Sequence, residues 1–287
     1  MSSRTLGQLL DEAAKRFTNV GIDSAPLDAR LLVACALGLD AGQVIARPDQ
    51  ALTPEQCRKL EEMVVRREER ESVALILGQA KFWSLEFTVT ADVLVPRPDS
   101  ETLVEAALAS AGAKDGTYSI LDLGTGTGCL VLALLSEWPN ARGLGVDVSG
   151  AALDVAEANA RQLGLQDRAR FQVSDWDADV DGRFNLVISN PPYIAEEDFS
   201  ALEPEVTRFE PRLALSGGSD GLACYRALGP AIVRTLAPNG RAFVEIGADQ
   251  AETAGKVLGH AGLWVYTVHR DLAGHTRVIE AVRGHGP

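Results

Sequence analysis

The tetrapeptide Asn190-Pro191-Pro192-Tyr193 holds the residue types of this chain that are best suited to chemistry. Its two prolines fix the backbone and carry no N–H group, so the corner they form presents carbonyl oxygens and few donors. The side-chain oxygen of Asn190 is a further acceptor. Two such acceptors can bind both hydrogens of one planar NH₂ group and orient its nitrogen. We expect Tyr193 to wall this slot and exclude wider groups.

An amide nitrogen is a poor nucleophile because its lone pair is spread into its own carbonyl group. Acceptors held on both hydrogens favour the positive charge that develops as this nitrogen attacks, and alignment of the reacting atoms contributes more. If the electrophile is a sulfonium methyl group, it is already activated and the protein need not supply a strong base. The tetrapeptide therefore predicts N-methylation of an amide or of an exocyclic amine of a nucleobase, without choosing between them.

A glycine-rich turn lies further towards the N-terminus, in the segment from Leu121 to Gly128 that ends one predicted strand and opens a helix. Glycines there let the backbone turn tightly and approach a ligand closely. A dinucleotide fingerprint has the spacing G-x-G-x-x-G, whereas here the third glycine comes one residue early and Cys129 stands in its place. This spacing favours S-adenosylmethionine (SAM) over NAD. The predicted cofactor-binding residues of the turn are Gly124, Thr125, Gly126, Thr127 and Gly128.

Polar residues follow the next three predicted strands at their carboxyl ends, where open α/β sheets bind ligands. Asp147 comes about 20 residues after the turn, the place of a carboxylate that pairs with ribose hydroxyls. The carboxylate of Asp175 can accept a bond from an adenine amino group, with Trp176 beside it. Asn190 ends the following strand. Together with the glycine turn, these residues predict a SAM pocket.

Strands and helices alternate from residue 117 onward, which predicts a parallel, doubly wound α/β sheet. The last two strands are joined by only a short link, so the final strand should run antiparallel. Seven strands ending in this way are typical of the class I methyltransferase variant of the Rossmann-like fold. The predicted strands are Ser119–Leu123, Gly143–Val148, Ala169–Val173, Phe184–Ser189, Arg241–Ile246, Leu263–His269 and Arg277–Val282.

The N-terminal part differs in character and reads as a small helical domain over residues 1–75. Pro26 suits the first turn of a helix that runs to Leu37, and Thr53-Pro54 starts another. The charged run Arg66–Glu71 is expected to be a solvated helix face. Residues 76–96 are expected to form a β-hairpin linker, and residues 97–287 are expected to form the SAM-dependent methyltransferase domain.

Composition excludes several classes of protein. The net charge is −13, with 11 basic and 14 acidic side chains in residues 1–95 and 16 and 26 in residues 96–287. A nucleic-acid binder usually has a basic surplus, because neutralising phosphates supplies most of its affinity. No apolar run reaches the ~18 residues of a membrane helix. The four cysteines and four histidines lack ligand spacing, so we expect reduced thiols, no metal and a cytoplasmic location.

The motifs together resemble those of the release factor glutamine methyltransferases (PrmC, also called HemK). Ser100 is one departure, since the family usually has Thr there, and it keeps the hydroxyl group. Most diagnostic are the segments around Arg97 and Arg208. The matching segments besides the glycine turn are Leu27–Leu32, Phe82–Phe87, Val95–Glu101, Ser189–Ile194, Arg208–Pro211, Gly218–Leu222, Glu245–Gly247 and Arg270–Gly274.

The resemblance implies transfer of a methyl group from SAM to the N5 nitrogen of the glutamine in the Gly-Gly-Gln motif of class I peptide chain release factors, which would modulate translation termination. It implies that Asn190, Pro191, Pro192 and Tyr193 grip this glutamine and that Arg97 lies near the cofactor. The helical domain would help to recognise the release factor, and we expect a monomer. Arg97 and Arg208 have an alternative role as ion-pair residues that lock domains.

Three alternatives remain at this point: methylation of a glutamine in a large-subunit ribosomal protein, methylation of a nucleobase amine in RNA or DNA, and a non-catalytic SAM-binding protein. The absence of a basic groove disfavours the nucleobase, and the intact tetrapeptide disfavours the non-catalytic protein. An acidic lip after the tetrapeptide, opposed only by Arg208, is expected either to attract a basic protein substrate or to be a solvated loop. Its members are Glu196, Glu197, Asp198, Glu203, Glu205 and Glu210.

Overall fold

The structure is a computed structural model that describes residues 4–110, 112 and 114–284. Its chain divides into two compact units. The first unit comprises the residues up to Gly78 together with Glu203–Phe209, and the second comprises Gln79–Leu202 and the residues from Glu210 onward.

Helices and strands are numbered here in chain order. The helices are α1 (Leu6–Asn19), α2 (Ala25–Leu37), α3 (Ala41–Ala46), α4 (Pro54–Glu68), α5 (Val73–Leu77), α6 (Glu101–Ser110), α7 (Cys129–Glu137), α8 (Gly150–Gln162), α9 (Pro204–Phe209), α10 (Ala223–Thr235) and α11 (Ala251–His260). The strands are β1 (Gln79–Phe82), β2 (Leu85–Thr88), β3 (Ser119–Leu123), β4 (Arg142–Asp147), β5 (Ala169–Val173), β6 (Phe184–Ser189), β7 (Leu236–Glu245), β8 (Leu263–Arg270) and β9 (Thr276–Arg283).

The first unit is helical because its sequence caps several short amphipathic segments. Helices α1, α3 and α4 each open with a capping box, in which the side chain before the helix and a glutamine three residues later satisfy each other's backbone N–H groups. The predicted start at Thr53-Pro54 is confirmed, with Thr53 as the cap. One apolar core, centred on Leu6, Phe17 and Leu32, holds the helices together.

The charged run Arg66–Glu71 is not simply a solvated face, and that prediction is wrong for Arg67. This guanidinium is only 5% exposed; it donates to Asp28 and to Glu205, both at 2.8 Å. Arg70 also donates to Glu205 at 2.8 Å. Glu205 lies in α9, so these ion pairs bind α9 into the helical unit. The sequence hid them because the partners lie far from the run along the chain.

The second unit contains the predicted seven-stranded sheet, in the order β5-β4-β3-β6-β7-β9-β8. The pairings among β3, β4, β5, β6 and β7 are parallel, and β9 is antiparallel to both β7 and β8. This confirms the class I methyltransferase fold with an antiparallel last strand. Strand β7 begins at Leu236, earlier than its predicted start at Arg241.

Helices cover both faces of this sheet. Successive side chains of a strand point to opposite faces, so each strand contributes residues to both layers. Ile120 of β3 and Ile188 of β6 enter one core with α6 and α7. Leu121 and Val187, the alternate positions, enter the other core with α10 and α11. Because β3 and β6 are covered on both faces, their sequences are nearly continuous apolar runs.

The hairpin β1–β2 belongs to the second unit, where Phe82 and Phe87 lie in its core. Its two turn residues, Trp83 and Ser84, have φ values of 51° and 58°. Two central residues with positive φ are the mark of a type I′ turn, whose twist matches that of the flanking strands. The predicted hairpin is therefore present, with a two-residue turn.

The chain switches direction across the sheet between β3 and β6. It proceeds from β3 outward to β4 and β5, then returns so that β6 pairs with β3 on its other side. Ligands of open α/β sheets bind at such a switch point, outside the carboxyl ends of the strands. The glycine turn follows β3 and Asn190 follows β6, so this topology brings the two predicted motifs to one place.

The buried cluster of the helical unit yields a stability prediction. Arg67→Ala leaves the carboxylates of Asp28 and Glu205 buried without their shared cation, and we expect the free energy of unfolding of this unit to fall by about 3–5 kcal/mol. Urea denaturation followed by circular dichroism measures the change. As a control, Arg4→Ala removes an exposed pair with Glu12 and should cost no more than ~1 kcal/mol. Equal losses for the two variants would contradict the assignment.

Candidate active site

A cavity of about 330 Å³ lies in the second unit at the carboxyl ends of the sheet strands. Its size falls within the range of small-molecule sites. The predicted site residues that line it are Arg97, Gly124, Thr125, Gly126, Thr127, Asp147, Asp175, Trp176, Asn190 and Pro192. Three other predicted residues, Gly128, Pro191 and Tyr193, do not line it.

The glycine turn wraps one end of this cavity. Gly124, Gly126 and Gly128 have φ values of 76°, 52° and 78°, a left-handed conformation that favours glycine. A Cβ atom on Gly124 or Gly126 would meet no protein atom within 4 Å, so these two positions are kept open on the ligand side. Gly128 instead precedes α7. It shapes the turn without lining the cavity.

Asp147 is fixed against the glycine turn by backbone donors. Its Oδ2 accepts from Gly126 N at 3.0 Å and its Oδ1 accepts from Ser149 N at 2.9 Å. A carboxylate oxygen has further lone-pair directions, so both oxygens remain able to accept from hydroxyl groups of a ligand. The structure thus gives this carboxylate a fixed position on the cavity wall.

Trp176 has strained backbone geometry, with φ at 52°. A bulky residue in this region is a genuine outlier that costs of order 1–3 kcal/mol, and such residues cluster at functional sites. Its ring is half-buried and packs against the core around α10. The neighbouring Asp175 is exposed. Asp175 and Trp176 both line the cavity.

Asn190 stands at the opposite wall with its amide already oriented. Its Nδ2 donates to Ser100 Oγ at 3.1 Å, so the oxygen end of the amide is turned away from Ser100. The carbonyl oxygen of the buried Pro191 accepts no hydrogen bond from any described residue. Of the two predicted acceptor residues, Asn190 lines the cavity and Pro191 does not.

The far side of this corner is clamped by Gln250. Its Nε2 donates to the carbonyl oxygens of Tyr193 at 3.0 Å and Gly221 at 3.3 Å. A Cβ atom on Gly221 would lie 2.6 Å from the carbonyl oxygen of Tyr193, so only glycine allows this approach. The clamp fixes the backbone that follows the two prolines.

Tyr193 turns its hydroxyl group away from the cavity and towards a buried acid. This hydroxyl lies 3.4 Å from Glu245 Oε1, and burial raises the pKa of Tyr193 well above its usual value. Burial also raises the pKa of Glu245 to about 7, although Ser100 and Arg277 oppose the rise. No role for Glu245 was predicted from the sequence. A charged residue inside the apolar run Ala242–Ile246 was the available signal.

Arg97 lines the cavity and also makes an ion pair. Its Nη2 lies 2.7 Å from Glu210 Oε1, and the Glu210 side chain is buried. Burial raises the pKa of Glu210, and the guanidinium opposes this rise. Arg208 lies outside the cavity, exposed, with its guanidinium 5.3 Å from the centroid of the Phe209 ring. The two arginines therefore have different surroundings.

The acidic lip differs from its prediction. Glu205 and Glu210 are buried ion-pair partners and cannot contribute to an exposed patch. Four members remain exposed, namely Glu196, Glu197, Asp198 and Glu203. Arg208 is not their only opposing charge, since Arg70 lies 3.6 Å from Glu203.

Two cysteines also line the cavity, Cys129 from α7 and Cys224 from α10. Burial raises the pKa of both thiols, that of Cys129 to about 12. All four cysteines are free. Within the described ranges no group of three His, Cys, Asp or Glu residues is placed to hold a metal ion, and His285 lies outside those ranges. None of the described helices is long and apolar enough to cross a bilayer.

Two family models match this chain. The PrmC N-terminal domain model matches residues 8–78, and the methyltransferase small domain model matches residues 100–208. A release factor glutamine methyltransferase of Rhodospirillum rubrum is 48% identical over 282 residues, which are 98% of this chain and 86% of that protein. One of Cereibacter sphaeroides is 43% identical over 95% of this chain and 96% of that protein.

Solved structures with low sequence identity share the fold. A methyltransferase from Pyrococcus furiosus matches with a TM-score of 0.52 at 14% identity, over 82% of this chain and 100% of that one. A ribosomal protein L11 methylase from Lactobacillus delbrueckii matches with a TM-score of 0.50 at 20% identity, over 68% and 83%. These likenesses support the class I methyltransferase fold.

A buried acid below the glycine turn gives a prediction about pH. Burial raises the pKa of Asp122 from 3.8 to about 7, although the Thr125 hydroxyl donates to it at 2.7 Å. Between these values the folded state binds more protons than the unfolded state, so this group's contribution to stability falls as pH rises from about 4 to about 7.

Asp122→Asn cannot ionise and should escape this loss. The free energy of unfolding of the variant, measured by urea denaturation and expressed relative to the unsubstituted protein, should therefore rise across the same pH window. Parallel pH dependence in the two proteins would contradict the assignment.

Proposed function

This chain belongs to the release factor glutamine methyltransferase family, and on that premise we propose that it methylates the N5 nitrogen of the glutamine in the Gly-Gly-Gln motif of class I peptide chain release factors. The observation that carries the proposal is the corner at the end of β6. There the Asn190 side chain lines the cavity with its amide oriented, and the carbonyl oxygen of the adjoining Pro191 accepts no hydrogen bond from the described residues, so the corner can supply two oxygen acceptors. Two acceptors match the two hydrogens of a glutamine NH₂ group.

We propose SAM as the methyl donor, and the residues present fit it. The carboxylate of Asp147 would accept from the ribose hydroxyls, and the open glycine turn admits close approach of the ligand. Trp176 offers an aromatic face and Asp175 an acceptor for an adenine amino group. When bound, SAM supplies an activated methyl group, so the protein need not provide a strong base.

The contribution of the chain is then to bind, orient and desolvate the glutamine amide. Oxygen acceptors on both hydrogens direct the nitrogen lone pair towards the cavity and stabilise the positive charge that grows on that nitrogen. The prolines keep competing N–H donors away from the corner. The Gln250 clamp on Tyr193 and Gly221 holds the acceptors in place before the substrate arrives, which lowers the cost of ordering them.

The helical unit and the remaining acidic lip are the proposed contacts for the protein substrate. The exposed Glu196, Glu197, Asp198 and Glu203 would attract a basic surface. The net charge of −13 disfavours RNA or DNA as the substrate. Because release factors act in translation, we propose that the protein works in the cytoplasm. We also propose that it is a monomer.

The proposed function predicts methyl transfer to a single glutamine. The protein is incubated with labelled SAM and, in parallel, with a class I release factor, large-subunit ribosomal proteins, RNA and DNA. Label should appear in the release factor, and mass spectrometry should locate it on the glutamine of Gly-Gly-Gln. Transfer to a ribosomal protein or to a nucleic acid, with none to the release factor, would overturn the proposal.

Within this assay the Asn190→Ala variant identifies the site. It removes one of the two acceptors, so we expect the transfer rate to fall at least about 100-fold, while the affinity for SAM measured by calorimetry stays within about threefold. Asn140→Ala is the matched control, because among the described residues the Asn140 side chain bonds only the main chain of Asp115, and it does not line the cavity. Preserved turnover in Asn190→Ala would refute the role of the corner.

Asp147→Ala should have the opposite signature. Loss of a fixed carboxylate that accepts hydroxyl groups should weaken SAM binding by about 10- to 100-fold, because hydrogen bonds to charged groups contribute roughly 1.5–3 kcal/mol. Calorimetric titration with SAM measures this directly. The exposed Asp154 on α8 provides the control variant Asp154→Ala. Unchanged affinity in Asp147→Ala would show that the ribose does not bind there.

A further inference from the structure

Glu245 ends β7 inside an apolar environment that gives a carboxylate little solvation. It is 1% exposed, and its chain neighbours Val244 and Ile246 are fully buried. Burying a charge is costly unless partners compensate. Glu245 Oε1 faces the Tyr193 hydroxyl at 3.4 Å, whereas Oε2 has no partner of full hydrogen-bond geometry in the described chain. A carboxyl group kept at this cost needs a purpose.

Ser100 connects this carboxyl group to the substrate corner. Ser100 is 2% exposed and is the neighbour that most favours the charged form of Glu245, although the two groups form no hydrogen bond of full geometry. The same oxygen accepts from Asn190 Nδ2 at 3.1 Å. A hydroxyl group has one proton and two lone pairs. When the proton is directed to Glu245, only lone pairs remain for Asn190.

We propose that Glu245 and Ser100 are positioning residues that decide which end of the Asn190 amide faces the substrate. This inference rests on the proposed function of the Asn190 corner. The carboxylate draws the Ser100 proton, Ser100 can then only accept, and Asn190 must give it the NH₂ end. Asn190 Oδ1 is thereby directed towards the substrate NH₂ group, which needs an acceptor. The charge of Glu245 thus sets the orientation of the Asn190 amide through Ser100, and only Asn190 contacts the substrate.

The protonated form of Glu245 would reverse this order. It would donate its proton to Ser100, whose own proton would then be free to bond Asn190 Oδ1. The amide would turn its NH₂ group to the substrate, and a donor would face a donor. A hydrogen bond needed for orientation would be lost, with both groups left unsatisfied. Methyl transfer therefore requires the charged form of Glu245.

The surroundings of Glu245 hold charges of both signs, so its ionisation is set by a balance. Arg277 favours the charged form, and Asp99 disfavours it; the Arg277 guanidinium is shared with Asp99 at 2.7 Å and Asp271 at 2.9 Å. Burial is the largest influence and raises the pKa of Glu245 to about 7. The titratable groups that face it from the packed elements are Arg277 of β9, Asp99 before α6, Cys129 of α7, Tyr193 after β6 and Tyr225 of α10.

Three variants of the full chain test the inference in the release-factor assay. Ser100→Ala and Glu245→Gln should each lower the single-turnover transfer rate at pH 8 by about 10- to 100-fold, the loss typical when a partner that orients a binding group is removed. Ser100→Thr keeps the hydroxyl group and should transfer within about threefold of the unsubstituted protein. Thr235→Val is the matched control, since it removes a buried hydroxyl group that bonds only Ala231 O on α10.

The pH profile separates positioning from a structural role. In the unsubstituted protein the transfer rate should rise as pH increases through about 7, because the active form carries the charged carboxylate. In Glu245→Gln this acidic limb should vanish and leave a uniformly low rate. Calorimetric titration with S-adenosylhomocysteine and a thermal unfolding curve accompany each variant, and we expect donor-site affinity within about threefold and a cooperative transition.

The outcomes distinguish this inference from the proposed function. No transfer by the unsubstituted protein would refute the function itself. Transfer by the unsubstituted protein together with unchanged rates in Ser100→Ala and Glu245→Gln would overturn the positioning chain alone. A low rate in Ser100→Thr equal to that of Ser100→Ala, or an acidic limb that persists in Glu245→Gln, would overturn it as well. Should Glu245→Gln fail to unfold cooperatively, the Ser100 pair decides the matter.

Discussion

The parallel pairing of β3 with β6 is the constraint on which the rest of the site depends. These two strands are separated along the chain by β4 and β5, yet Ile120, Leu121 and Asp122 align with Leu186, Val187 and Ile188. Both strands are buried on both faces, and a slip by one residue would move each side chain into the opposite core, whose packing it does not fit, so the register is strongly specified. Fixed register places the glycine turn and the Asn190 corner at the same sheet edge. The proposed sites for SAM and for the substrate glutamine are thus positioned by hydrophobic packing in the sheet below them.

Burial in these cores makes the polar groups at the strand ends costly in folding free energy. Asp122 and Glu245 both lie in the sheet core and have pKa values raised by burial, and each keeps an oxygen without a full partner. Trp176 adds backbone strain at the end of β5. A protein selected for stability alone would replace such groups. Trp176 lines the cavity and Asp122 accepts from the cavity-lining Thr125, which is the pattern expected where rigidity of a binding site is gained at the cost of folding free energy.

The sheet and the residues on its carboxyl edge could be predicted from sequence because their signals are local. Strand ends such as those at Leu123 and Ser189 coincide with a switch from apolar to turn residues, and the short link after Arg270 fixes the direction of β9. Strand β7 was predicted late because Pro238, Asn239 and Gly240 are turn formers that normally end a strand.

Features set by distant partners could not be predicted. The buried state of Arg67 depends on Asp28 and on Glu205, which is 138 positions away, so its neighbours in sequence only indicated a solvated helix face. The hydrogen bond from Asn190 to Ser100 was hidden for the same reason, since Asn190 lies 90 positions further on. Helix α6 was not predicted, because its buried residues lie in two short runs, 102–104 and 106–107, and do not show the clear amphipathic period that reveals a surface helix.

The membership of α9 in the helical unit has a consequence for how this gene can be divided. The chain leaves the sheet unit after Leu202 and rejoins it at Glu210, so the helical unit is assembled from two separate stretches of sequence. A fragment that begins at residue 79 would retain α9 but lose Arg67 and Arg70, and Glu205 would keep a carboxylate without either cation. Recombination that exchanges only the N-terminal stretch between relatives would have to preserve these charges. Sequence changes at Arg67 or Arg70 in the N-terminal stretch are therefore tied to changes in the seven-residue segment Glu203–Phe209.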